Sequence, residues 1–195
     1  SPTPEPDTSE VEPTEPAGTE QAPEPPTCLA PDPIFTSVLH QAEILGLGLR
    51  CATGPTTEHT GRFQFFRANV DQPNAHEHNR SLMVYDANTA LVYAFEGTDP
   101  NIYEADVEIY TNRWDETQPE VAPVCGALAP PTGYQMPVRE IGKAWCEAGL
   151  WLQVGWPRES AMDGTLTLQE TTHGLLLKVA PATDSSTVQP LLIAV

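Results

Sequence analysis

The chain has 195 residues, enough for one medium-sized domain or two small ones, and it carries a formal charge of −18 at neutral pH. This charge argues against nucleic acid as a partner, because nucleic-acid binding requires a basic surface that neutralises phosphate. The excess of acid also argues against an anionic membrane surface, and no apolar run reaches the roughly 18 residues of a transmembrane helix. We therefore expect neither nucleic-acid binding nor direct membrane insertion.

Residues 1–27 form a segment with seven acidic residues, no lysine or arginine, and prolines throughout. Its only large apolar residue is Val11, so it cannot bury enough surface to offset the entropy of ordering the chain. This composition predicts a disordered, acidic, Pro-rich stalk that lifts the folded part off a surface, or a spacer with no further role. Several hydroxyl residues of the stalk are candidate acceptors for O-linked glycans: Thr3, Thr8, Thr14 and Thr19.

The four cysteines contain no Cys-x-x-Cys pair, which argues against a zinc knuckle, and four cysteines allow three pairings. We predict the bridges Cys28–Cys51 and Cys125–Cys146, each closing a loop of about 20 residues and stabilising the fold by roughly 3 kcal/mol. Paired thiols beside an acidic, Pro-rich stalk favour an oxidising, extracellular or cell-surface location. The alternative is a cytosolic protein with four free thiols.

Residues 28–124 are predicted to form a first unit. Asp32 can cap the free amides of a helix, and Pro33 suits the first helical position. Apolar residues then recur at helical spacing. The predicted elements, in chain order, are a helix over 34–45, a corner at 51–55, strands over 63–66, 81–85, 90–95 and 103–110, and a polar loop over 69–79.

Residues 125–195 repeat the same order of parts, with a helix over 138–147, a corner at 155–157 and strands over 165–170, 174–179 and 188–195. We therefore predict an α+β fold of two tandem small units behind a disordered tail. Each unit would be a short helix on a mainly antiparallel sheet of three to four strands. The apolar C-terminal strand is either the last strand of its own sheet or a strand lent to a neighbouring subunit.

The second unit carries a run of residues that resembles a known family. The run contains Trp145, Gly155-Trp156-Pro157, Gly164, Gln169 and the segment 174–177, and it resembles the LGFP-type repeat of secreted bacterial cell-envelope proteins. Residues 34–97 match more loosely, as a degenerate copy behind a Pro/Thr/Glu-rich tether. The resemblance implies an extracytoplasmic, non-catalytic module associated with envelope glycan or surface attachment, and it carries over no catalytic residue.

The tryptophans are the candidate ligand-binding residues, because exposed aromatic rings can stack on sugar faces. Trp145 fits the inner face of the second helix, which predicts core packing. Trp151 and Trp156 flank the corner, and Trp156, with Trp151 and Trp114, is a candidate for contact with a ligand; the alternative for Trp156 is packing in the core.

The sequence offers weaker evidence for a metal site or for a group of catalytic residues. His76 and His78 form a His-x-His pair with no indicated third ligand, so no metal is expected. The acidic residues Asp99, Glu104, Asp106 and Glu108 lack the spacing of a calcium loop and predict a solvated face. Ser37, His40 and Glu43 lie on the same predicted helix, which does not by itself make a catalytic triad. Asn79 begins an N-glycosylation triplet.

The sequence thus favours a non-catalytic, tethered surface module without a cofactor, whose partner is an envelope polysaccharide or a surface protein. The first alternative is a structural subunit of an extracellular fibre or surface layer, self-associating through strand edges or the tail. A secreted hydrolase is the more distant alternative.

Overall fold

The computed structural model describes residues 28–44, 49–67, 80–98, 107–182 and 191–194. The predicted stalk with its threonines lies outside these residues, as do His76, His78 and Asn79. The helices are α1 (Thr36–Ile44), α2 (Arg139–Glu147) and three short 3-10 helices at Pro33–Phe35, Pro123–Cys125 and Leu150–Leu152. The strands are β1 (Thr57–Arg67), β2 (Arg80–Asp86), β3 (Leu91–Thr98), β4 (Val107–Thr111), β5 (Trp156–Pro157), β6 (Met162–Thr171), β7 (Gly174–Pro181) and β8 (Leu191–Ala194).

All eight strands belong to one antiparallel sheet in the order β4-β3-β2-β1-β6-β7-β8, with β5 paired to the end of β1. The prediction of two tandem helix-on-sheet units is therefore wrong. The central strand β1, from the predicted first unit, pairs with β6 of the predicted second unit over seven residues, from Thr57↔Leu168 to Phe63↔Met162. Both halves of the chain thus share one continuous sheet.

The error has a local cause in β1. The sequence pattern identified only residues 63–66 as a strand, because the preceding Thr-Glu-His-Thr-Gly-Arg is polar and shows no apolar alternation. In the structure this polar half is the part of β1 that pairs with β6. Its strand conformation is stabilised by pairing with β6 along this half, and with β2 from Gly61 onward, rather than by its own side chains.

Side chains alternate between two faces of the sheet. One face carries a cluster without a covering helix among the described residues: Phe63, Leu82, Val84, Tyr93, Phe95, Leu166, Leu168, Leu177 and Val179. On the other face, α2 packs on Phe66, Met83, Val92 and Ala94, and α1 packs on Leu176. Both helices therefore cover the same side of the sheet, and we call the other side the concave face.

Two paired glycines permit close approach of the strands at the centre of the sheet. Gly61 of β1 lies opposite Gly164 of β6. A Cβ at Gly61 would lie 2.3 Å from the carbonyl oxygen of Tyr85, and a Cβ at Gly164 would lie 2.4 Å from that of Ala180. Any larger residue would collide with the neighbouring backbone at both positions. Glycines in strand interiors are typical of a bend in a sheet.

The helix α2 is anchored by aromatic packing. Ile141, Ala144 and Trp145 are buried, as their helical spacing predicts. The Trp145 indole Nε1 donates to the carbonyl oxygen of Gly155 at 2.9 Å. Its ring packs edge-on against Trp151 and Trp156, at centroid distances of 5.7 and 4.8 Å.

The ends of the described chain are held by local contacts. Asp32 accepts a hydrogen bond from the amide of Ile34, so it caps the first helical turn as predicted. Disulfides join Cys28 to Cys51 and Cys125 to Cys146, with sequence separations of 23 and 21 residues. The C-terminal strand β8 pairs with β7 of the same chain, with Ile193 opposite Leu177.

Candidate functional site

A cleft of about 650 Å³ lies at one end of the concave face. Its walls come from strands far apart in the sheet, including Ile109 of β4 and Leu175 of β7. In a flat sheet these strands would be five spacings apart, or roughly 24 Å at about 4.8 Å per spacing. One cleft can include both only because the sheet curls, so the curl creates the site.

The lining of the cleft combines apolar walls with a few polar groups. The aliphatic side chains of Ile109, Leu168 and Leu175 line it together with the polar side chains of His59, Tyr93 and Glu170. Alternation along each strand puts these residues on the concave side. An apolar hollow with a small number of convergent polar groups is the usual composition of a small-molecule or glycan site.

His59 and Asp86 form a hydrogen-bonded pair in this lining. The Nδ1 atom of His59 lies 2.8 Å from Oδ2 of Asp86, whose side chain is fully buried. The amide of Asn88 and the hydroxyl of Thr89 also donate to this carboxylate, each at 2.9 Å. Three donors therefore compensate the buried charge of Asp86.

The pair determines which atom of His59 is available to a ligand. An ionised carboxylate only accepts hydrogen bonds, so Nδ1 of His59 carries the proton that faces Asp86. The Nε2 atom is then the ring nitrogen left for the cleft, and the imidazole side chain is 18% exposed. This nitrogen can form a hydrogen bond with a ligand hydroxyl.

Tyr93 contributes a largely buried phenol. Burial is the main reason that the pKa of Tyr93 is raised above its ordinary value, and the charge of Asp86 raises it further. A hydrogen bond with Thr89 acts in the opposite direction, and the charge of Glu170 adds a smaller increase. The phenol therefore stays protonated at neutral pH. The two carboxylates that raise its pKa belong to different strands, Asp86 to β2 and Glu170 to β6.

The predicted ligand-binding tryptophans lie elsewhere. Trp156 is only 6% exposed and packs on Trp145, and Trp151 is half-buried against the same ring. The half-buried Trp114 donates its indole N–H to the carbonyl oxygen of Pro119, with the Arg139 guanidinium 5.8 Å from the centre of its ring. None of the three lines the cleft.

The other candidate residues are also placed outside the cleft. Ser37 and His40 are exposed on α1. Of the predicted acidic face, only Glu108 is described, and it is exposed and accepts a hydrogen bond from the Tyr110 hydroxyl. The described part of the chain contains no group of three or more His, Cys, Asp or Glu side chains that could hold a metal ion.

A second hollow, of about 350 Å³, lies between the sheet and the start of α2. Arg62 lines it, with Nε 2.9 Å from Asp163 and Nη1 3.2 Å from Glu140. Two carboxylates thus neutralise this guanidinium, which ties the first turn of α2 to strands β1 and β6. We interpret this hollow as a structural junction.

Sequence analysis missed the residues that meet in the cleft. It predicted strands over 81–85 and 90–95, which leaves Asp86 in the connection between them without an assigned role, and it placed His59 in no element. The sequence did contain one signal: His59 lies four and six positions before Phe63 and Phe65, so all three would be on the same face of a strand. Extending the strand backwards would have put the imidazole on the apolar face.

No family model, curated protein or solved structure matches the chain. The resemblance to the LGFP-type repeat therefore stays a prediction. The two disulfides are compatible with an extracellular protein in an oxidising environment. Within the described ranges, none of the helices has the length and apolar character needed to cross a membrane.

Proposed function

We propose that this protein is a non-catalytic module of the cell surface that holds an envelope glycan, or another surface component, in the concave cleft. The observation that supports this most is the composition of the cleft. Aliphatic walls at Ile109, Leu168 and Leu175 surround polar groups of His59, Tyr93 and Glu170 in a volume of about 650 Å³. A sugar unit needs both surfaces, because it has apolar C–H faces and hydroxyl edges.

Two of the lining hydroxyls are not free to act as nucleophiles. A hydrolase that forms a covalent intermediate needs a nucleophile beside the base. The hydroxyl of Thr89 donates to Asp86, and that of Thr171 donates to the carbonyl oxygen of Gly174. These two hydroxyls are thus committed to structural hydrogen bonds, so neither of them is placed to attack a substrate with His59 as its base.

Two different observations support a location in the cell envelope. The acidic, Pro-rich residues 1–27 have the composition of a tether. The segment around Gly155-Trp156-Pro157 resembles a repeat of envelope proteins. In this proposal the ligand site moves from the tryptophans to the cleft, because Trp156 is packed in the core.

The fibre alternative receives less support. Lending the C-terminal strand to a neighbour requires that strand to be free, whereas β8 pairs with β7 of its own chain. Assembly through strand edges would still be open to β4, which lies at the other end of the described sheet order.

The proposal is tested by blocking the cleft without disturbing the core. Ile109 lines the cleft and is 57% exposed, so Ile109→Trp places a bulky ring at the mouth at little cost in stability. Leu152 is 71% exposed and lies off the cleft, so Leu152→Trp adds the same ring elsewhere. Both variants are compared with wild type on a glycan array and on insoluble envelope polysaccharide.

We expect wild type and Leu152→Trp to be retained on at least one polysaccharide, and Ile109→Trp to lose about tenfold or more in affinity. A loss of that size corresponds to about 1.4 kcal/mol. Equal retention of wild type, Ile109→Trp and Leu152→Trp would mean that the binding site lies outside the cleft. Retention of none of them on any glycan would contradict the proposed function.

A further inference from the structure

We propose that the ligand of the concave cleft is a glycan that carries a free, protonated amine, and that this ammonium group pairs with Glu170. The inference rests on the proposed glycan-binding function and narrows it from glycans in general to amino-sugar glycans. It assigns Glu170 as the residue that sets this specificity.

The charges of the residues that line the cleft favour a ligand with a cationic group. Two carboxylates, those of Asp86 and Glu170, belong to the residues that line the cleft, and none of those residues is lysine or arginine. The chain as a whole has a charge of −18. An anionic glycan would therefore be repelled both by the cleft and by the surrounding field, whereas an ammonium group would be attracted.

The two carboxylates differ in their availability. Asp86 is fully buried and accepts hydrogen bonds from His59, Asn88 and Thr89, so its capacity for donors is largely used. The carboxylate of Glu170 is exposed and makes no hydrogen bond or ion pair with any other described residue. Glu170 is thus the group that can accept a charged donor from a ligand.

The neighbours of Glu170 complete a site for an amino sugar. Leu175 lies directly opposite Glu170 in the β6–β7 pairing, and Leu168 lies two residues before it on the same face. These side chains offer apolar contact to a sugar ring. The Tyr93 ring, which stacks on Phe95 at 6.3 Å, adds an aromatic group of the kind that often accompanies a carboxylate in ammonium sites.

Three oligosaccharides of equal length separate the contribution of the charged amine from that of the sugar ring. Glucosamine oligomers carry the free amine, N-acetylglucosamine oligomers carry a neutral amide at the same position, and glucose oligomers carry a hydroxyl. Their dissociation constants are measured by calorimetry with wild type, Glu170→Gln and Glu58→Gln. Glu58 is an exposed carboxylate near the same end of the sheet that does not line the cleft, so it is the matched control for non-specific charge.

We expect the glucosamine oligomer to bind wild type most tightly. Glu170→Gln should weaken this binding about fivefold, as is typical of one partly exposed ion pair, and Glu58→Gln should change it by less than about twofold. The preference for the free amine should shrink as salt is added. The acetylated and neutral oligomers should bind wild type and Glu170→Gln equally.

Several results would overturn the inference. If the neutral or acetylated oligomers bind as tightly as the amine, and Ile109→Trp still blocks them, glycan binding stands and the ammonium assignment fails. If Glu170→Gln and Glu58→Gln weaken amine binding equally, attraction by the overall charge is the cause and Glu170 has no special role. If none of the three oligomers binds, the inference fails together with the proposed function for these sugars.

Discussion

The Nδ1 atom of His59 lies 2.8 Å from a carboxylate oxygen of Asp86, and this contact joins two neighbouring strands at the cleft. Asp86 ends β2 and begins the turn to β3, and His59 lies in the polar half of β1. The pair therefore fixes both the hairpin and the orientation of the imidazole. Loss of the carboxylate should affect stability first and ligand binding second.

Asp86→Asn should destabilise the fold by about 2–4 kcal/mol, because the amide cannot accept all the hydrogen bonds that the buried carboxylate accepts from His59, Asn88 and Thr89. The free energy of unfolding in urea measures the effect. Asp163→Asn is the matched control, since Asp163 is 71% exposed and should cost less than about 1 kcal/mol. Equal costs for the two variants would mean that Asp86 is solvated rather than buried.

Gly164→Ala tests the bend at the centre of the sheet. The added methyl group would lie 2.4 Å from the carbonyl oxygen of Ala180, so β6 and β7 would have to separate. We expect a loss of about 2 kcal/mol or more, as for other overpacked positions. A Cβ at Gly54 meets no atom within 4 Å, so Gly54→Ala should change stability by less than about 1 kcal/mol. Urea unfolding that ranks the two variants in the opposite order would contradict the curled sheet.

Alkaline pH should destabilise the protein through Tyr93. Burial, together with the charges of Asp86 and Glu170, raises the pKa of this phenol in the folded state above its unfolded value near 10. The unfolded chain therefore loses the proton first as pH rises. The stability that depends on the neutral phenol is fully present below about pH 10 and is lost as pH rises through the folded-state pKa.

Tyr93→Phe removes this titration, so its free energy of unfolding should fall less steeply than that of wild type above about pH 10. The measurement is urea unfolding at a series of pH values, with the difference between the two proteins at pH 7 as the reference. Parallel profiles from pH 7 to pH 11 would mean that Tyr93 is accessible to solvent in the folded protein.

Several local features of the fold could be predicted from the sequence, because they depend on neighbouring residues. Asp32 caps the first helical turn, and the apolar spacing of Ile141, Ala144 and Trp145 marks the buried side of α2. The hairpin around Asp86 also follows from its turn residues. Each of these patterns is determined within a few positions along the chain.

The sheet and the cleft depend on pairing between distant segments, which composition and periodicity do not encode. Gly61 pairs with Gly164, which lies 103 positions further along the chain, and this pairing places the two halves of the chain in one sheet. The exposure of Trp156 depends on the same packing, because its ring is covered by Trp145 of α2. His59 could be recognised as a site residue only once β1 was known to extend back to Thr57.

The pairing of β1 with β6 is the central claim, since the concave cleft exists only if one sheet contains both halves of the chain. Nuclear Overhauser contacts between backbone protons test it directly in solution. The account predicts cross-strand contacts in the register that places His59 opposite Leu166 and Phe63 opposite Met162. Backbone contacts of β1 with β2 alone, and of β6 with β7 alone, would mean two separate sheets and would contradict the account.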